Sequence, residues 1–546
     1  MTMELKKAVT ESTQAATIKL TVLETSDIHG HILPIQYANH NPTETGLAKL
    51  ATLIREKRRH HEHVLLIDNG DLIQGTPLAY HHARLNREAA NPMIASLNEL
   101  GYDAAVIGNH EFNYGMDLLR KATSESSFPW LCANIVNESD GEPFLGKPYT
   151  IKIYGGVKVA VLGLTTPYIP NWEKAEHIAG LRFEDAVQSA RRWVKELRER
   201  EAADIVIVAY HGGFERHLEN GEPTEPQTGE NQGYALCRDV PGIDLLLTGH
   251  QHRSIAQVVC GVPVIQPGSA GALLGKAVLT LERSAEAGGR WRVATVESEL
   301  VSPHGAVPDV RIMELADPHE RLTQTWLDQP IGRLVGDMRV LDPMGVRLAE
   351  HPLIEFINRV QMELSGAPIS NTALFDNVSP GFPEHITMRD IVSNYIYPNT
   401  LQVIRVSGRD IEAALEQTAG YFDTYDGQGE IRVSPAFSDP KPQHYNYDMW
   451  EGIDYKLNIS RPVGQRVTEL LYNGRPLDPD GEYEVVMNNY RAAGGGNYAM
   501  FQNKPVVKDI PTDMAELLAS YIMERGTIQS TLNGNWEVVW DGKAGR

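Results

Sequence analysis

Apolar runs of strand length recur along the first half of the chain, and each breaks into glycine and a metal-capable side chain. LTVLETSDIHGHI (20–32) passes from its apolar stretch to Asp27 and His29, and HVLLIDNGDLIQG (63–75) passes to Asp68 and Asp71. DAAVIGNHEFNYG (103–115) reaches Asn109 and His110, DIVIVAYHGGFE (204–215) reaches His211, and DLLLTGHQHRS (244–254) reaches His250 and His252. Short β-favouring runs bounded by turn residues predict strands. VKVAVLGLTTP (157–167) and VPVIQPGSAG (262–271) add two more. Between them, TGLAKLATLIREKRR (45–59) and FEDAVQSARRWVKELRERE (183–201) carry apolar residues at helical spacing. Strands alternating with helices predict an α/β domain, with sheets flanked by helices and ligands gathered at the carboxyl rim.

The pattern changes beyond residue 316. DPHERLTQTWLDQPIG (317–332) reads as a helical connector after a stretch containing proline and glycine. The remainder is poorer in histidine, richer in tyrosine, and carries a tight glycine turn, GGGN, at 494–497. The expected division is 1–316, a linker over 317–344, and 345–546. A chain of 546 residues exceeds what one core usually supports, which agrees with that division. No repeat or low-complexity tract is evident, so solenoid and disordered-scaffold organisations lose support.

Composition narrows the function. A formal net charge of −21, with no basic run beyond the short REKRRHHEH, argues against binding a nucleic-acid polymer, which requires a basic footprint. Small phosphorylated substrates stay open, because cations held in a cleft reverse the local field of an acidic protein. Sixteen of the 19 histidines precede residue 321, so the chemistry is expected there. Cys132, Cys237 and Cys260 lack metal-site spacing, and their odd number precludes a full disulfide framework; each reads as a small core residue. The first twenty residues lack a signal-peptide apolar core, and no uninterrupted apolar stretch is of membrane-spanning length. A cytoplasmic location without a membrane is expected, or a periplasmic or extracellular one if a leader has been removed. The oligomeric state stays open.

Any one of these polar residues could sit on an ordinary surface loop. Seven together at strand ends, Asp27, His29, Asp71, Asn109, His211, His250 and His252, form one pattern. If the ends converge, one carboxylate can bridge two cations and leave three further protein ligands for each. Mixed imidazole and carboxylate shells suit Mn, Zn, Fe or Co better than Mg or Ca. Two such ions about 4 Å apart acidify a shared water and clamp a phosphoryl group through in-line displacement. The Asp-x-His and His-x-His spacings would put alternate side chains on one side of an extended segment. His110 follows Asn109 and should point elsewhere, toward a leaving oxygen.

SDIHGH, NGDLIQGTPL, GNHEFNYG, AYHGG and TGHQH resemble, in order, the five motifs of the calcineurin-like metallophosphoesterases. The downstream half resembles the second domain of the 5′-nucleotidase and 2′,3′-cyclic-nucleotide phosphodiesterase group. The resemblance implies a metallophosphoesterase sandwich of mixed sheets followed by an α+β substrate-binding domain. It implies that Asp27, His29, Asp71 and His252 hold one metal, that Asp71, Asn109, His211 and His250 hold the other, and that His110 is the catalytic histidine. Many 5′-nucleotidases place an aspartate three residues after that histidine; this chain has Asn113, as in the cyclic-phosphodiesterase/3′-nucleotidase branch.

HYNYDMWEGIDYKLNIS (444–460) and VVMNNYRAAGGGNYAMF (485–501) resemble the same branch, where two aromatic rings clamp the nucleobase. Tyr445 and Tyr490 are the candidates, with Tyr447 as substitute for the first. Arg389 and Arg405 could reach substrate but read equally as surface cations. The expected activity is hydrolysis of 2′,3′-cyclic nucleotides and then of the 3′-nucleotides formed. Alternatives are a 5′-nucleotidase or nucleotide-sugar hydrolase, and a catalytically silent nucleotide-binding protein with a structural metal cluster. Structural metal sites are normally closed, whereas two sites sharing Asp71 beside His110 look built for an open water position.

Overall fold

Five of the apolar runs fold as strands whose carboxyl ends converge: β1 (Thr17–Thr25), β2 (Val64–Asp68), β3 (Ala104–Val106), β4 (Ile205–His211) and β5 (Leu245–Thr248). The computed structural model describes residues 17–542 apart from 226, 284–288, 398, 440 and 511. β1, β2 and β3 run parallel in one six-stranded sheet, ordered Trp291–Val301, Leu274–Arg283, β1, β2, β3, Trp130–Leu131. β4 and β5 run parallel in a second six-stranded sheet, ordered Ser254–Val259, Val262–Pro267, β5, β4, Val157–Thr165, Tyr149–Tyr154. Both sheets also contain antiparallel pairs, so both are mixed.

The two sheets face each other. Val22, Leu65, Ile67 and Val106 of the first meet Val161, Ile207 and Leu247 of the second in a buried layer. Intervening residues Leu23, Leu66 and Ala105 point the other way, under the helices. That alternation is the period-two pattern of strands covered on both faces. Helix Leu47–His60 covers the first sheet with Leu47, Leu50, Ala51 and Ile54, spaced as one helical stripe. Helix Ala186–Glu199 covers the second with Ala186, Ala190, Val194 and Leu197. Each large aliphatic side chain buried this way contributes about 1.5–3 kcal/mol. The result is four layers, helix–sheet–sheet–helix.

The segment expected as a connector divides between two cores. Helix Val310–Leu327, capped by the Asp309 side chain, packs Ile312, Ala316 and Leu327 into the core of the first half. Strand Pro330–Val335 then pairs with Thr527–Gln529, in the second half. That half centres on a five-stranded mixed sheet, ordered Asp448–Glu451, Ile369–Ala373, Glu482–Asn488, Leu401–Ser407, Val506–Ile510, over one core that includes Trp450 and Leu415. Arg389 is buried between the halves, donating to the Tyr37 carbonyl at 2.6 Å, and Arg84 pairs with Asp513 at 2.5 Å. Arg405 pairs with Glu484 on the surface, so neither Arg389 nor Arg405 serves the site.

Cys132 and Cys237 are buried as expected, but Cys260 is exposed. It sits with Gly261 in the turn joining Ser254–Val259 to Val262–Pro267, and both take positive φ, 49° and 85°. A two-residue hairpin turn imposes that geometry and projects the side chain outward. No helix among the described residues is long and apolar enough to cross a membrane.

Candidate metal centre

The strand ends bring six of the seven expected ligands into two clusters. Asp27, His29 and His252 form one, and Asp71, His211 and His250 form the other. Asn109 completes the second: its Oδ1 lies 3.1 Å from His211 Nε2 and 2.9 Å from His250 Nδ1. One oxygen of Asp71 stands between the clusters. Oδ2 is 3.2 Å from His211 Nε2 and 3.9 Å from His29 Nε2, while Oδ1 accepts the His110 backbone N–H at 2.8 Å.

The local backbone differs from the extended alternation expected for Asp-x-His and His-x-His. Asp27, His29, Asp71, His250 and His252 all adopt left-handed conformations, with φ between 48° and 67°. Such residues cost on the order of 1 kcal/mol or more each and persist where neighbours fix them. Here Asp27 N–H donates to Gly70 O, His29 N–H to Asp71 O and Gly30 N–H to Leu72 O, so two loops hold each other. His250 and His252 consequently diverge, one into each cluster. Gly70, at φ 92°, has no room for a side chain: a Cβ would lie 2.7 Å from Gly108 N and 2.8 Å from His211 Nδ1.

Glu111 is the fully buried fastener of these loops and was not singled out from the sequence. Its carboxylate accepts backbone N–H groups from Asp71 at 2.8 Å, Leu72 at 2.7 Å and Gly108 at 2.7 Å. Burial raises its pKa, and the nearby Asp71 charge adds to that rise.

Three imidazoles have their outer nitrogen committed. A carbonyl can only accept, so His211 Nδ1 donates to Asn69 O at 2.7 Å and His29 Nδ1 donates to Gln74 O at 3.2 Å. His250 Nε2 faces the Glu230 carboxylate at 3.0 Å. Such outer partners fix the tautomer and aim the other nitrogen inward. A neutral His211 therefore turns a lone pair toward the Asp71 and Asn109 oxygens, so acceptors face acceptors. Something positive belongs between them. Without a cation a proton does so: burial pulls His211 down, but the Asp71 and Asp27 carboxylates outweigh it and push the ring up to about 10. In the other cluster, burial takes His29 down to about 3, and its Nε2 lies 3.1 Å from His252 Nε2. Burial would raise Asp27, yet the hydrogen bond and charge of His252 hold it below the usual carboxylate range. The donor set thus fits two divalent cations, each with imidazole and oxygen ligands.

His110 is placed beside the centre rather than in it. Its ring lies edge-on to His29, with centroids 5.3 Å apart, and Nδ1 is 2.7 Å from Asn113 Oδ1.

A cavity of about 550 Å³ runs from Asn109, His110 and His250 to Tyr445 and Tyr490 in the second half. That volume suits a small organic ligand. The two tyrosine rings have centroids 6.5 Å apart and planes 70° from parallel, so one ring must turn for both faces to meet a base. Buried Arg491 supports them: it pairs with Asp448 at 2.7 Å, donates to Tyr445 O at 3.1 Å and lies against the Tyr490 ring. Tyr397 also lines the cavity. Tyr447 does not: it is buried in the core and its hydroxyl donates to Arg347 O at 2.7 Å.

Two mixed sheets between helices, with clustered carboxylate and imidazole ligands on one rim, define a calcineurin-like metallophosphoesterase. The profile of the calcineurin-like phosphoesterases matches residues 20–254, and that of the 5′-nucleotidase C-terminal domain matches 330–503. The chain belongs to the metallophosphoesterases that carry this C-terminal domain, and it is a metal-dependent hydrolase of the nucleotide phosphoesterase group. The family generally binds two divalent metals. A 2′,3′-cyclic-nucleotide 2′-phosphodiesterase/3′-nucleotidase of Yersinia enterocolitica is 29% identical, over 97% of this chain and 90% of that protein. The trifunctional nucleotide phosphoesterase protein YfkN of Bacillus subtilis is 27% identical over 97% of this chain, which spans only 39% of that protein's length. A provisionally named 5′-nucleotidase from Staphylococcus aureus, solved with alpha-ketoglutarate, is 36% identical, covers 95% of this chain and all of its own, and superposes with a TM-score of 0.86.

Proposed function

We propose that this chain opens 2′,3′-cyclic nucleotides and then removes the remaining 3′-phosphate. Asp27, His29, Asp71 and His252 hold one cation in this reading, and Asp71, Asn109, His211 and His250 hold the other. Divalent cations bound there acidify a water and neutralise phosphoryl oxygens during in-line displacement. Asp71, which lies between the two clusters, would serve both positions. Tyr445 and Tyr490 stack on the base, a contact that tolerates any base. His110 Nε2 delivers a proton to the leaving ribose oxygen as its bond to phosphorus breaks.

The observation that carries the reading is the shared cavity, with Asn109, His110 and His250 at one end and the tyrosines at the other. The choice of the 2′/3′ edge rests on Asn113 beside His110 and on the Yersinia relative. Both steps present a ribose phosphate to the same metal pair, so one site can serve both once the opened product repositions. The likeness to the Staphylococcus aureus protein supports 5′-nucleotide hydrolysis as the second reading. Parallel turnover of 2′,3′-cAMP, 3′-AMP and 5′-AMP by metal-loaded protein separates the two. The first two should be processed and 5′-AMP poorly; a clear preference for 5′-AMP overturns the first reading.

A further inference from the structure

We propose that Glu173 is a positioning residue which supplies, through Asn113, the carboxylate that His110 lacks at its side. The inference rests on His110 acting as proton donor to the leaving oxygen. Asn113 accepts at Oδ1 from His110 Nδ1, 2.7 Å away, and donates from Nδ2 to Glu173 Oε2 at 2.8 Å. The other carboxylate oxygen accepts the Lys174 backbone N–H at 2.9 Å and faces His177 Nδ1 at 2.8 Å. The Glu173 side chain is only 6% exposed, so water competes little for these bonds.

The direction of the chain follows from its outer end. A carboxylate only accepts, so the Asn113 amide must turn its NH2 to Glu173 and its oxygen to His110. An oxygen facing Nδ1 requires hydrogen on Nδ1. The tautomer of His110 is thereby fixed, and Nε2 is left to exchange a proton with the cavity that His110 lines. The Glu173 charge also polarises the amide and strengthens its oxygen as an acceptor. Nε2 first takes a proton from solvent in the cavity; during reaction, as a water oxygen bonds to phosphorus and the P–O bond to the ribose breaks, that proton leaves Nε2 for the ribose oxygen. Nδ1 keeps its hydrogen, and neither Asn113 nor Glu173 transfers one.

A purely structural role must be separated from this one, because neighbouring Trp172 packs on His250. The test compares Glu173→Gln with His110→Ala on the best nucleotide substrate, whose leaving group is a ribose alkoxide, and on bis(p-nitrophenyl) phosphate, whose leaving group needs no proton. Glu173→Gln should keep two metal equivalents and an essentially unchanged KM, and lose roughly 10-fold in kcat on the nucleotide with a much smaller loss on the aryl ester. The Asn113→Asp/Glu173→Gln double variant returns a carboxylate to His110 with an amide behind it. It should recover most of the lost kcat, which repair of a loop would not do. If Glu173→Gln does not fold, Asn113→Ala breaks the chain in its middle and should show the same leaving-group signature. Equal losses on both substrates, a loss carried by KM, or a double variant no faster than Glu173→Gln alone overturns the proposal. If His110→Ala shows the leaving-group signature and Glu173→Gln does not, only the relay fails. If neither shows it, the proton-donor reading fails with it.

Discussion

The indole of Trp172 lies over the imidazole of His250, with ring centroids 5.4 Å apart and planes 27° from parallel. Beneath that stack, His250 turns Nδ1 toward Asn109 and holds Nε2 against Glu230. The Trp172 carbonyl also accepts from Asn489 Nδ2 at 3.5 Å, one residue before Tyr490. A candidate metal ligand and a candidate base platform are thus tied through one residue. The candidate metal cluster and the second half of the chain are in physical contact through Trp172.

Glu230→Ala should release the His250 tautomer and weaken one metal site by roughly 10- to 100-fold, as loss of an outer-shell partner does. Trp172→Ala should weaken the same site less, because it removes packing but leaves the hydrogen bond. Competition with a metal chelator measures both. Unchanged affinity in Glu230→Ala would show that His250 is not held this way.

Tyr490→Ala should cost about 1–3 kcal/mol of base stacking. Nucleotide turnover would fall while bis(p-nitrophenyl) phosphate, which has no base, is hydrolysed at a similar rate. Normal nucleotide kinetics in this variant would remove Tyr490 from the site.

His82 gives the fold a pH-sensitive point away from the metals. Its ring is buried with neither nitrogen hydrogen-bonded. Burial, then the His319 ring whose centroid is 5.9 Å away, takes it from 6.5 down to about 4; Lys121 and His81 act in the same sense and Glu125 against it. The unfolded chain therefore binds the proton more readily, and folding favours the neutral ring. The stabilisation is fully present above about pH 6.5 and is lost as pH falls from there toward 4, by at most about 3 kcal/mol. Unfolding of His82→Leu followed against pH should show a shallower loss over that window. An identical slope would refute the assignment.

The strands and the polar residues that cluster at their ends were legible because each parallel strand writes its own end into the sequence: an apolar run, a glycine, then Asp, Asn or His. Convergence of those ends then follows from the architecture. What was not legible acts across the fold. Glu230 and Glu173 reach His250 and Asn113 from loops far away in sequence, and nothing in their neighbours marks them. Glu111 did carry a signal, as a carboxylate directly after His110 in GNHEF, but three of its four backbone partners come from residues 71–73, the fourth being Gly108. The left-handed turns at Asp27 and His250 were misread as extended because the spacing alone fits both geometries. Tyr447 lies two residues from Tyr445, and only the core around Arg347 separates their fates.

The central claim is a dinuclear centre bridged by Asp71, and the metal content of Asp71→Ala tests it most directly. Purified and metal-loaded, the unaltered protein should carry two equivalents of divalent metal and His29→Ala about one, while Asp71→Ala should carry essentially none and have lost nearly all hydrolysis. Two full equivalents retained in Asp71→Ala would contradict the account.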